Sequence, residues 1–286
     1  MTLRQTYQKG KTLLEKAGNE TPAFDAICLF QKVFGLDRQQ LIMRGTELAD
    51  EEQSAGYLSL CAERAQGRPL QYILGEWPFL DFTLRVGEGV LVPREETELL
   101  VYTAAKHIRK KCVEGERPRV IDLCGGSGAV ALGIASLLPE AEVVCAELYE
   151  GAYHYLEENI RRLNAQSVKP MRLDVLSPEA AERFSKLDAV VSNPPYVEAD
   201  TIAGLQKEVQ YEPHTALDGG EDGLVFYRAL ARFWIPRLKP GGLAAVEIGE
   251  GQAQAVEELF RSVGVRDIEV QKDFNGFDRV VAGIFG

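Results

Sequence analysis

Val120-Ile121-Asp122-Leu123-Cys124-Gly125-Gly126-Ser127-Gly128 is the stretch that decides the fold. A short apolar, β-type run breaks into a turn of small residues, and residues 130–138 beyond it are helical in character. Outward from this point the chain alternates. Further β-type runs lie at 143–146, 189–192, 243–248, 268–270 and 280–284, with helical stretches at 152–163, 224–238 and 253–263. Strands spaced by helices of this length predict an α/β fold with a mostly parallel, doubly wound sheet. Its ligands are expected at the carboxyl ends of the strands, near the point where strand order reverses.

Upstream, residues 1–74 read as short helices. Thr21-Pro22 supplies a hydroxyl for an N-cap and then proline at the first helical position, where its missing N–H costs nothing. Ala23, Ile27, Phe30 and Phe34 follow at helical spacing, and Gly35 closes the segment. A second amphipathic stretch runs from about Asp50 through Leu58, Cys61 and Ala65 to Gly67. Phe82, Leu84 and Val86 then alternate with polar residues, and Val90 and Val92 resume the alternation beyond Gly87-Glu88-Gly89. That pattern predicts a hairpin turning at the glycines. A helix is expected from Thr97 to about Cys112. The division is a small all-α domain over 1–74, a hairpin linker over 75–94 and an α/β domain over 95–286.

The 286 residues carry a net charge of −11. Residues 1–74 hold nine basic and nine acidic side chains, so residues 75–286 carry the whole imbalance. Such a charge argues against a large phosphate-binding footprint and hence against direct nucleic-acid binding. Apolar runs such as 129–135 fall far short of the ~18 residues a membrane span needs. The five cysteines are scattered without a C-x-x-C, and the three histidines stand alone. These features predict a cytoplasmic protein with no structural metal and no membrane partner.

The loop Cys124-Gly125-Gly126-Ser127-Gly128 lets backbone approach a ligand closely, and the following helix N-terminus points free N–H groups at it. Glu147 ends the next strand, 19 residues after Gly128, where a carboxylate can accept both hydroxyls of a ribose. This pair implies a nucleoside cofactor, either a dinucleotide or S-adenosylmethionine. Asp174 would end a third strand, placed to accept from an adenine amine while the Val175 N–H donates to the ring; a solvated loop aspartate reads equally well there. Just past the fourth strand comes Asn193-Pro194-Pro195-Tyr196. The prolines fix φ, remove two donors and leave a stiff loop rich in acceptors. The Asn193 side-chain oxygen and the Pro194 carbonyl can accept both hydrogens of a planar –NH2, and Tyr196 offers a ring to pack on it. Fixed acceptors would aim that poorly nucleophilic nitrogen at an electrophile and stabilise the charge developing on it.

Together, the 122–128 loop, Glu147, Asp174 and Asn193-Pro194-Pro195-Tyr196 resemble the class I S-adenosylmethionine-dependent methyltransferases, whose catalytic domain is Rossmann-like. More narrowly, the chain is similar to the release-factor glutamine N5-methyltransferases, the PrmC/HemK family. Leu91-Val92-Pro93-Arg94-Glu95-Glu96-Thr97-Glu98, Tyr211-Glu212-Pro213-His214-Thr215-Ala216-Leu217, Gly219-Gly220-Glu221-Asp222-Gly223-Leu224 and Glu247-Ile248-Gly249 add to the match. Two positions depart from it: Cys124 stands where the family usually has glycine, and Glu95 where it often has proline. The resemblance implies transfer of a methyl group to the amide N5 of the glutamine in the Gly-Gly-Gln motif of peptide chain release factors, with S-adenosylhomocysteine as product. It makes Asn193, Pro194, Pro195 and Tyr196 the catalytic loop. It assigns the cofactor to Cys124, Gly125, Gly126, Ser127, Gly128, Glu147, Asp174, Val175 and Asn193. The same loop chemistry would serve a ribosomal-protein glutamine or, against the charge, adenine N6 in DNA; a catalytically dead binding module is the remaining alternative.

Overall fold

The computed structural model describes residues 1–111 and 116–286, so Cys112, the expected end of one helix, lies outside the described residues. Two compact units emerge: Met1–Glu76 with Gln206–Tyr211, and Trp77–Leu205 with Glu212–Gly286.

The first unit is helical: α1 (Leu3–Lys16), α2 (Pro22–Phe34), α3 (Arg38–Arg44), α4 (Glu51–Ala65) and α5 (Leu70–Leu74). Capping boxes open α1 at Thr2 and α3 at Asp37, while Asp50 caps α4 through the Gln53 N–H. Thr21 does precede α2, but its hydroxyl donates to Asp25 Oδ1 at 2.8 Å instead of capping a backbone N–H. Gly35 ends α2 in the left-handed conformation, φ 65°. Phe30 stacks on Phe34 and meets Tyr57 edge-on, at the centre of a small core that includes Leu14, Leu29 and Cys61. Arg64 is buried and pairs with buried Asp25 at 2.7 Å and with Glu208 of the 206–211 segment.

In the second unit a seven-stranded sheet forms the centre. After the hairpin β1 (Glu76–Phe79) and β2 (Phe82–Arg85) come α6 (Thr97–Lys111), β3 (Arg119–Leu123), α7 (Ala129–Leu137), β4 (Glu142–Glu147), α8 (Glu150–Arg162), β5 (Val168–Arg172), α9 (Pro178–Glu182) and β6 (Leu187–Ser192). Then follow α10 (Val225–Ala229), β7 (Leu238–Glu247), α11 (Ala253–Ser262), β8 (Val265–Lys272) and β9 (Asp278–Phe285). Strand order is β5-β4-β3-β6-β7-β9-β8, parallel through β7 and antiparallel at β9 and β8. The order reverses between β3 and β6, so a switch point opens beyond their carboxyl ends. β3, β4 and β6 are buried nearly throughout, as strands covered on both faces must be.

Two expectations are corrected. The hairpin turns at Leu80-Asp81, with Leu80 at φ 52°, and not at Gly87-Glu88-Gly89. Val90 and Val92 lie outside any strand; they are buried for packing, which mimics strand alternation in the sequence. The single helix expected over 224–238 instead passes from α10 into a π turn at Leu230–Trp234 and a 3-10 turn at Ile235–Arg237. This irregular segment seats buried Trp234, whose Nε1 donates to the Val175 carbonyl at 2.8 Å.

Candidate active site

A cavity of about 190 Å³ opens where the switch point predicts. It is lined from the glycine loop by Cys124, Gly125, Gly126 and Ser127, from β4 by Glu147, from beyond β5 by Asp174 and Val175, and from beyond β6 by Asn193 and Pro195. Thr97 and Asp122 also line it. Of the residues nominated from sequence, Gly128, Pro194 and Tyr196 are not on its wall. Gly128, at φ 86°, forms the N-cap of α7; buried Pro194 and half-buried Tyr196 form the rest of the loop.

The glycine loop is held from several sides. A Cβ on Gly125 would lie 2.2 Å from Cys145 Sγ, so glycine is obligatory there. Glu147 accepts the Gly126 N–H at 2.9 Å through one oxygen and the Tyr149 N–H at 2.8 Å through the other. Burial pushes its pKa up, against the pull of those backbone donors and Arg172. Cys124 adopts φ 61°, the left-handed region in which glycine is relaxed and cysteine strained. Burial also pushes its thiol well up, so it is no thiolate nucleophile. Asp174 is exposed, and its Oδ1 accepts the Leu176 N–H at 2.8 Å.

The Asn193–Tyr196 loop is braced from behind. Val197 donates to the Leu217 carbonyl at 2.9 Å and accepts from the Gly219 N–H at 2.8 Å. Gln252 Nε2 donates to the Tyr196 carbonyl at 2.9 Å. A Cβ on Gly219 would approach Tyr196 Cα to 2.8 Å, which explains the glycine at that position. Glu212 accepts from the Val92 N–H at 3.0 Å and from Arg94, joining the stretches before and after the catalytic loop.

Three residues here escaped the sequence reading of the site. Asp122, fully buried at the end of β3, accepts from the Ala131 N–H at 3.0 Å and from Cys145 Sγ. Burial pushes its pKa to about 7. Thr97 donates to Glu247 Oε2 at 2.6 Å, and Asn193 Nδ2 donates to Thr97 Oγ1 at 3.2 Å. All three were visible only as members of longer matching stretches. Among the described residues, the buried side-chain oxygens without a partner are Asp122 Oδ1 and Asn193 Oδ1, and both residues line this cavity. Buried polar atoms are ordinarily paired, so two orphans at one cavity mark a place where a ligand completes the bonding.

Sheet order, glycine loop and cavity define the class: a class I methyltransferase domain carrying a separate helical unit. In fold the chain is similar to the hMettl16 catalytic domain solved in complex with MAT2A 3'UTR hairpin 6, with TM-score 0.56 and 15% identity over 71% of this chain and 76% of that one. Residues 5–75 match the model described as PrmC N-terminal domain, and residues 96–230 the methyltransferase small domain. A release factor glutamine methyltransferase of Thermodesulfovibrio yellowstonii is 39% identical over 92% of this chain and 91% of its own length. Those of Moorella thermoacetica (38%, covering 98% and 97%) and Geobacter sulfurreducens (36%, covering 100% and 97%) are similar along their whole length. The chain belongs to the release factor glutamine methyltransferase family.

Proposed function

We propose that this chain transfers a methyl group from S-adenosylmethionine to the side-chain amide nitrogen of the Gly-Gly-Gln glutamine of peptide chain release factors. The unpartnered Asn193 Oδ1 carries the reading: a buried acceptor in a stiff Pro-Pro loop, on the wall of the cavity that the glycine loop and Glu147 share. S-adenosylmethionine fits the donor set. Glu147 supplies carboxylate oxygens for ribose hydroxyls, Gly126 leaves open space where a Cβ would stand, and Asp122 Oδ1 awaits a donor. When bound, it supplies an electrophilic methyl group on a sulfonium.

The chain's own part is orientation. Asn193 Oδ1 and the Pro194 carbonyl accept the two amide hydrogens, hold the nitrogen lone pair toward the cavity and stabilise positive charge as it grows there. No general base of the chain is needed, because the nitrogen becomes strongly acidic once it has attacked the methyl carbon and displaced the thioether, and it then loses its proton to water. The helical unit, residues 1–74 in the sequence division, serves to grip the release factor at a point distant from the reacting glutamine. No described helix is long and apolar enough to cross a membrane, and the substrate class puts the enzyme in the cytoplasm.

The test is incubation with labelled S-adenosylmethionine and purified release factors, followed by mass spectrometry to locate the methyl group. Label on the glutamine of Gly-Gly-Gln is expected. With ribosomal proteins and adenine-containing DNA offered in parallel incubations, label on either of those and none on the release factors would overturn the substrate assignment.

A further inference from the structure

We propose that Thr97 and Glu247 are positioning residues that fix which face of the Asn193 amide meets the substrate; this rests on the reading of Asn193 as the amide acceptor. Two bonds and one unpartnered oxygen carry the argument. Thr97 Oγ1 donates to Glu247 Oε2 at 2.6 Å, a short bond between buried groups. A hydroxyl has one hydrogen, so with that hydrogen given to the carboxylate Thr97 can only accept from Asn193. Asn193 therefore turns Nδ2 toward Thr97, at 3.2 Å, and Oδ1 away from it. That oxygen is the one left without a donor.

The logic inverts when Glu247 is protonated. A neutral carboxyl can donate to Thr97 Oγ1, the threonine hydrogen is freed to reach Asn193 Oδ1, and the amide can rotate to present Nδ2. A donor then faces the substrate –NH2, where two donors cannot bond. The groups around Glu247 set which state prevails. Burial pushes it up to about 7, Glu96 pushes the same way, and the Thr97 hydroxyl, Arg279 and the Tyr196 hydroxyl pull it down. Tyr196 OH approaches Oε1 at 3.5 Å, and Tyr227 donates to the Glu247 backbone carbonyl at 2.9 Å. Methyl transfer should then lose activity as pH falls through about 7, with Asn193 rotation as the cause.

Asp122, also pushed to about 7, is a competing source of such an acid limb, so the amide itself must be observed. In full-length protein with S-adenosylhomocysteine added, the Asn193 side-chain ¹⁵N–¹H₂ signals, assigned by their loss in Asn193→Ala, should titrate near pH 7. In Glu247→Gln that titration should disappear. Thr97→Val should lower kcat on release factor by about tenfold or more, with S-adenosylmethionine affinity retained, whereas Thr97→Ser should keep most of the rate. Thermal melts separate these effects from unfolding. Asn193 signals indifferent to pH, or Thr97→Val turning over at the wild-type rate, would overturn the positioning role and leave the methyltransferase reading standing. If the wild type methylates no release factor, that reading falls, and the amide titration, which needs no substrate, still decides the orientation.

Discussion

Asn159 Nδ2 donates to the Ser127 carbonyl at 2.9 Å, tying α8 to the glycine loop from below. The same side chain accepts the Arg85 N–H at 2.7 Å and donates to the Arg85 carbonyl at 3.1 Å. One buried amide thus clamps strand β2 to the loop. Asn159→Ala would orphan one N–H and two carbonyls, and a buried orphan costs ~1–3 kcal/mol. The expected loss is about 3 kcal/mol in urea unfolding, accompanied by S-adenosylmethionine affinity weakened about tenfold as the loop loosens. Wild-type values in both measurements would mean that the loop is held without the clamp.

Asp122 gives a pH dependence with a definite sign. Its folded pKa of about 7 lies above the ordinary 3.8, so between those values the folded state keeps a proton the unfolded chain has lost. The stability this group contributes is complete below 3.8 and is lost as pH rises through about 7. Asp122→Asn cannot ionise and still offers an acceptor to the Ala131 N–H. In cofactor-free protein it should gain stability over wild type from pH 4 to pH 8, by at most about 4 kcal/mol. Denaturant melts across that range decide it, and a difference independent of pH would place the titration elsewhere.

Cys124 tests backbone strain apart from packing. Cys124→Gly and Cys124→Ala both remove the thiol, but only glycine is relaxed at φ 61°. The glycine variant should be the more stable of the two by about 1 kcal/mol. Equal melting temperatures would show that the loop shifts to relieve the alanine.

What was legible in the sequence was local. The runs 120–128 and 190–196 each carry a strand and the turn that ends it within a few residues, so periodicity and backbone chemistry suffice to read them. Val90 and Val92 were misleading because burial by packing and burial in a ladder leave the same alternation. Thr97 and Glu247 lie 150 residues apart, and nothing in either neighbourhood announces that β7 delivers a carboxylate to the first turn of α6. Gln206–Tyr211 likewise carries no pattern to say that it belongs with the helical unit, which the sequence reading confined to 1–74.

That last segment shapes the test of the helical unit's role. None of the residues lining the cavity belongs to Met1–Glu76 or Gln206–Tyr211. Removing residues 1–76 should therefore spare S-adenosylmethionine binding. It also strips Gln206–Tyr211 of the unit it folds with and takes Arg64 from Glu208. A control is needed for that disturbance. Glu208→Gln in the full chain breaks the ion pair at its half-exposed end, leaving the buried Arg64–Asp25 bond intact. If the unit grips the release factor, truncation should lower kcat/KM on intact release factor by about tenfold or more, because remote contacts position the reacting amide. A short Gly-Gly-Gln peptide, which makes no remote contacts, should be methylated at nearly the same kcat/KM by truncated and full-length enzyme, and Glu208→Gln should stay near wild type on both substrates. Equal loss on peptide and protein would mean that truncation damages the catalytic loop through 206–211. Intact release factor methylated by the truncated chain as well as by the whole one would leave the helical unit without a recognition role.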